Sequence, residues 1–158
     1  TPLYSSAASD VYKRQHRLWL LTGHAAYRAA AAAGVESVSA AAVQHPVSLG
    51  AALAVATALD APALQLVVVT DPETDAAAAA VGRRHRPDAA AAVARTWHRA
   101  GAVAIVVTSA QAEAFAASGF ELFEARTTDL GVATAYLCEE FVCRLPLTSA
   151  AALAQLLK

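Results

Sequence analysis

Residues 64–73 read LQLVVVTDPE, and this stretch decides the class of the fold. Leu64–Val69 is a short apolar run rich in β-branched side chains, the pattern of a strand buried on both faces. The chemistry changes immediately after it. Thr70 can cap, Pro72 suits a first helical turn and Glu73 is a first-turn acid, so a helix is predicted from there to about Arg84. Downstream, AVAIVVT at 102–108 reads as a second strand. SAQAEAFAAS at 109–118 follows as a helix, with Ser109 as its N-cap and Gly119 as its stop. Between them, AAAVARTW at 90–97 reads as a weak strand or a helix, since its alanines allow both. ATAYLC at 133–138 and FVCRL at 141–145 read as two short strands around Glu139-Glu140. Thr148 then caps a last helix whose apolar face is Leu153, Leu156 and Leu157. Strands alternating with helices predict an α/β fold over 63–158, closed by a β-hairpin and a helix.

Working upstream, residues 16–62 carry a helical pattern. HRLWLLTGHAAYRAAAAAG reads as one helix stopped by Gly34, and VESVSAAAV as a second that ends before His45-Pro46. A third, VSLGAALAVATALDAP, places Leu49, Leu53, Ala56 and Leu59 on one stripe and is closed by Pro62. The opening TPLYSSAASDVYKRQ shows no apolar period. Residues 1–15 read as a translated linker artefact or a disordered tail, which would make the chain a truncated one.

Composition narrows the function classes. Hydrophobic residues make up 57% and charged residues 16%, ample for a core. A formal charge of −1 gives no electrostatic reason to expect a nucleic acid or an anionic membrane surface. No run of about 18 strongly apolar residues occurs, so no membrane partner is expected and the cytoplasm is the expected compartment. Two cysteines do not make a disulfide framework in a chain of 158 residues.

Those two, Cys138 and Cys143, sit in AYLCEEFVCRLP at 135–146. A hairpin turn centred on Glu140-Phe141 would set them directly opposite each other, about 4.5–5.5 Å apart at Cα, within reach of a disulfide. Three readings stay open: two buried reduced thiols, which is the plainest, a redox pair or labile disulfide, and half of a metal site. Glu139 and Glu140 flank the pair, and like charge discourages a thiolate. Zinc would need further ligands, and the five histidines fall in separate elements, so no metal is expected. Thr70 and Asp71 form a candidate ligand crevice, at the carboxyl end of a strand where open α/β sheets bind ligands. No glycine-rich turn accompanies them, and helix capping accounts for the same residues. GRRHRP at 82–87 reads as a solvated helix end, and Trp97 and His98 as core or interface residues. No catalytic constellation and no cofactor motif is recognisable, which leaves enzymatic activity open.

From Glu121 to Leu157 the chain resembles the carboxyl end of the spermatogenesis-associated protein 20 family of thioredoxin-domain-containing proteins. The resemblance is carried by Leu122-Phe123-Glu124-Ala125-Arg126, Thr134-Ala135-Tyr136-Leu137-Cys138, Cys143 and Pro146-Leu147-Thr148. LTGHAAYRAAA, HPVSLGAAL and LQLVVVTDPETD agree with it in order, while residues 75–118 match mostly in pattern. The resemblance implies a longer parent, with an amino-terminal thioredoxin-like domain and a helical toroid similar to six-hairpin glycosidases. Residues 16–62 would then be the end of that toroid and 63–158 a terminal α/β segment. It also implies that this chain is a non-catalytic structural portion, that its partner is the rest of the parent, and that the parent works in thiol redox or carbohydrate-related chemistry. The alternatives are an accessory redox dithiol, Cys138 and Cys143, serving the missing thioredoxin-like domain, and a small α/β ligand-binding module. Helices built to face an absent toroid would leave apolar surface open, so self-association of the isolated chain is expected.

Overall fold

A computed structural model describes residues 6–71 and 89–158. The helix foreseen from Pro72 to Arg84, and GRRHRP with His85, lie outside the described residues. The chain divides into a helical unit, residues 1–63 with 99–102, and an α/β unit, residues 64–98 with 103–158.

The helical unit holds α1 (Ser6–Thr22), α2 (Ala25–Glu36), α3 (Ser39–Gln44) and α4 (Gly50–Asp60). Helix α1 begins inside the stretch read as a linker or tail. Its inward positions are Tyr12, His16, Trp19 and Leu20, all buried and spaced on one helical face. Tyr12 packs with Ala31, Ala52 and Val55. The helix stops at Gly23 (φ 69°), which takes the left-handed conformation, and not at Gly34. Gly34 lies within α2, where an added Cβ would stand 3.2 Å from the Tyr12 ring. Its missing side chain allows two helices to approach, which explains a glycine where the sequence suggests a stop. The buried stripe of α4 is likewise Ala52 and Val55, with Leu53 exposed, because the face meeting Tyr12 needs small side chains.

The α/β unit is built on a four-stranded mixed sheet in the order β2-β1-β3-β4. Its elements are β1 (Leu64–Val69), α5 (Ala89–Thr96), β2 (Ala102–Val107), α6 (Ser109–Ala117), β3 (Thr134–Glu139), β4 (Val142–Cys143) and α7 (Ala150–Leu156). The α/β class and the buried central strand are as the sequence predicts. AAAVARTW takes its helical alternative, since α5 lays Ala90 and Ala94 against the sheet. Strand β1 pairs antiparallel with β3, Leu66 opposite Leu137 and Gln65 opposite Cys138. Side chains alternate across the sheet, so its two faces have separate contents. Leu66, Val68, Ala135 and Leu137 join Leu153 and Leu157 in the main core, with Trp97 packed on its edge. Gln65, Val67, Val69, Thr134, Tyr136 and Cys138 point to the other face, all buried.

Two caps shift by one residue. The side chain of Thr108, not Ser109, accepts the Gln111 amide, and the Gln111 side chain answers the Thr108 N–H in a full capping box. Ser149, not Thr148, caps α7 by accepting from the Ala152 N–H. Gly119 does end α6, at φ 89°. Leu156 is 39% exposed, which narrows the buried α7 face to Leu153 and Leu157.

Candidate functional site

The second face of the sheet holds both cysteines. Cys138 and Cys143 are register partners and are joined by a disulfide, their Cα atoms 3.8 Å apart. The Arg144 N–H donates to the Leu137 carbonyl, which makes that pair the hydrogen-bonded one. Cys138 and Cys143 therefore occupy the adjacent close pair. The opposition read from the hairpin is present, and the plainest reading of the pair, two reduced thiols, is not the state seen. Cys138 is completely buried and Cys143 half-buried.

The turn that brings them together is unusual in composition. Glu140 and Phe141 both have positive φ, 49° and 67°, as a two-residue mirror-image turn requires. Asparagine and glycine fit that conformation, whereas a bulky side chain there is strained. We expect Glu140→Asn with Phe141→Gly to stabilise the oxidised protein by about 1 kcal/mol, read as a shifted urea midpoint. No gain would mean that contacts of the native side chains offset the strain.

Arg126 supplies the feature that local reading of AYLCEEFVCRLP misses. It follows the 3₁₀ turn Glu121–Phe123, whose Leu122 carbonyl accepts from its Nε at 3.1 Å. Its guanidinium lies 4.8 Å from the centre of the Tyr136 ring, a cation–π contact. One terminal nitrogen stands 2.9 Å from the Cys143 sulfur and 3.9 Å from that of Cys138. Tyr136 is held in turn, its hydroxyl donating to the Thr127 carbonyl at 2.8 Å. On the solvent side Glu139 pairs with Arg144 at 3.2 Å, which offsets part of the acidic flank. Arg126 is 12 residues from Cys138 in sequence, so no local spacing rule links them. The only signal was its place in the family-like LFEAR step.

The candidate crevice at Thr70 and Asp71 is organised differently. The Thr70 N–H extends the sheet by donating to the Val107 carbonyl at 2.9 Å. The Asp71 carboxylate accepts from the Ser109 N–H at 2.9 Å and the Ser109 hydroxyl at 2.5 Å, with the Thr128 hydroxyl at 3.5 Å. A carboxylate at the first turn of α6 also suits that helix dipole. Asp71 thus ties the end of β1 to the start of α6, a tie that sequence alone assigned to its own helix. Among the described residues no group of three or more metal-ligating side chains converges. No described helix is long and apolar enough to cross a membrane.

The helical unit has an open cleft of about 670 Å³, edged by Lys13, Arg14, Arg17 and Arg99, with His16 at its wall. His16 is buried, and its Nε2 has no hydrogen-bond partner among the described residues. Burial pushes its pKa below the ordinary 6.5, helped by the charges of Arg28 and Arg17 against a raising contact from the Ala58 backbone. Below about pH 6.5 the unfolded chain then binds more protons than the folded one. Stability of the helical unit should therefore fall as pH drops from 7 toward 5, and His16→Leu should flatten that slope in thermal melts. An unchanged slope would remove His16 as its source. Compared with known proteins, the chain matches no family model, no curated protein and no solved structure.

Proposed function

We propose that this chain is the carboxyl-terminal structural portion of a cytoplasmic thioredoxin-domain-containing protein, packed in life on the rest of that parent. One observation carries the reading. Arg126, Tyr136, Cys138 and Cys143, which the family resemblance picks out along 18 residues of sequence, meet in a single cluster around the disulfide. A motif whose members touch one another is a motif with a physical reason to persist together. Unpartnered apolar surface adds support: Val43 and Val47 in the helical unit are 78% and 98% exposed. The coding sequence upstream of residue 16 tests the reading, and a native start there with no thioredoxin-like domain would overturn it. Sedimentation gives a second check. The isolated chain should associate as concentration rises, and a monodisperse monomer to high concentration would count against a missing packing partner.

A second reading is favoured by the arginine over the sulfurs: Cys138 and Cys143 work as a reversible dithiol–disulfide couple serving the parent's thioredoxin-like domain. Cations beside a sulfur favour the thiolate that such exchange needs. Rapid alkylation of freshly lysed cells, followed by mass measurement with and without reductant, tests it. A couple should show both blocked and free populations that follow the redox state of the culture. Cysteines found wholly reduced under every condition would sink the reading.

A further inference from the structure

We infer that Cys143 is the sulfur an incoming dithiol attacks, and that Arg126, assisted by Gln65, holds the negative charge the exchange releases. The inference rests on the redox reading just given and assigns its chemistry to atoms. Access selects the sulfur, because Cys138 is fully buried and Cys143 is not. An approaching thiolate also meets the Arg126 guanidinium, 2.9 Å from the Cys143 sulfur. Apolar Phe141, Val142 and Leu145 stand exposed around that end of the hairpin, a surface against which a second protein can seat.

The exchange balances as follows in atoms and electrons. A thiolate of the incoming dithiol bonds to the Cys143 sulfur, the Cys143–Cys138 bond breaks, and Cys138 leaves with the electron pair. The second thiol of the reductant, deprotonated, then attacks its own partner sulfur in the mixed disulfide and expels Cys143 as thiolate. Two electrons and two protons pass to the cysteines, and the reductant ends as a disulfide. Both expelled thiolates form within reach of one guanidinium, 3.9 Å from Cys138 and 2.9 Å from Cys143.

Gln65 supplies an independent observation. Its side chain is completely buried, and neither its amide nitrogen nor its oxygen has a hydrogen-bond partner among the described residues. Its register partner across the sheet is Cys138, so the two side chains share a face at neighbouring positions. A buried amide left unpaired is destabilising. A disulfide sulfur offers it little, whereas a thiol or thiolate at Cys138 offers a donor or a full acceptor. The oxidised state is therefore the one with the unmet polar group, and reduction provides its partner. The positive-φ turn at Glu140 and Phe141 pushes the same way, since opening the bond lets it relax.

The test uses the whole chain with dithiothreitol as the reductant. Iodoacetamide trapping of the reduced wild type should titrate with a pKa below the ordinary thiol value of about 8.5. Arg126→Leu should raise that pKa and slow reduction at pH 7 about tenfold, while Arg126→Lys stays near wild type. Gln65→Leu should shift the equilibrium with glutathione toward the disulfide. In single-cysteine variants, Cys138→Ser should react with an aromatic disulfide reagent at least about tenfold faster than Cys143→Ser. A wild-type pKa at or above the ordinary value overturns the assignment without any variant. So does an Arg126→Leu protein that folds, titrates and reduces like wild type, or the reverse order of reactivity. A disulfide that dithiothreitol cannot reduce in the folded protein overturns the redox reading itself.

Discussion

Replacing Leu66 with alanine should lower the unfolding free energy of the α/β unit by about 3 kcal/mol. Leu66 is fully buried in the central strand β1, opposite Leu137 and packed in one cluster with Val68, Leu153 and Leu157. The removed methine and methyl groups lose their transfer energy, but the surroundings set the size of the effect. The helix over this face meets the sheet through Ala90 and Ala94, so its backbone already lies close. Alanines have no side-chain freedom with which to refill a hole, and most of the lost volume remains as cavity. Trp97 lies on the edge of this cluster, and the chain's other tryptophan, Trp19, belongs to the helical unit. Urea unfolding followed by Trp97 fluorescence in a Trp19→Phe background therefore reads the right unit. Leu145→Ala, at a position 87% exposed, should change the same curve by less than about 0.5 kcal/mol. Equal losses at the two sites would show that Leu66 is not in a close-packed core.

What the sequence disclosed, and what it hid, divides by the range of the interaction. The β-branched run at 64–69 announces its own burial, and Cys138 and Cys143 announce their opposition once a two-residue turn is assumed. Both readings need only neighbours in the chain. Gly34 misled because glycine serves two purposes, and only the Tyr12 ring, 22 residues upstream, decides between a stop and a close helix approach. Tyr12 lies in the stretch 1–15, which has no apolar period of its own, and it joins His16, Trp19 and Leu20 on one helical face only across that boundary. The one-residue offsets at Thr108 and Ser149 fall where two adjacent hydroxyl residues can each cap, and backbone conformation makes the choice. The site suffered most. Asp71 meets Ser109 across 38 residues, and Arg126 meets Cys143 across 17. Each contact changes the chemistry of its partner, and neither leaves a periodic trace. Flanking glutamates argued against a thiolate only while the arginine on the inner side was unseen.

Gly101→Ala should destabilise the helical unit by about 3 kcal/mol, although it adds a single methyl group. Two penalties combine. Gly101 has φ 70°, a conformation that costs an L-residue roughly 1–2 kcal/mol. A Cβ built there would stand 2.7 Å from the Pro62 carbonyl oxygen, 3.1 Å from that of Ala58 and 3.0 Å from the Ala61 Cβ. Two of those neighbours are backbone atoms, one in the last turn of α4 and one just beyond it, which cannot swing aside as a side-chain tip can. Relief would require moving either the chain at 99–102 or the last turn of that helix. Gly50 provides the contrast, because it opens α4 with no atom of the described residues within 4 Å of a built Cβ. Alanine there should be neutral or stabilise by up to about 1 kcal/mol through helix propensity. Trp19 fluorescence in a Trp97→Phe background follows the helical unit for both variants. If Gly101→Ala unfolds with the wild-type midpoint, the segment at 99–102 is not seated on the end of α4. If it unfolds early while Gly50→Ala does not, the short return of the chain at 99–102 is an integral part of the helical unit.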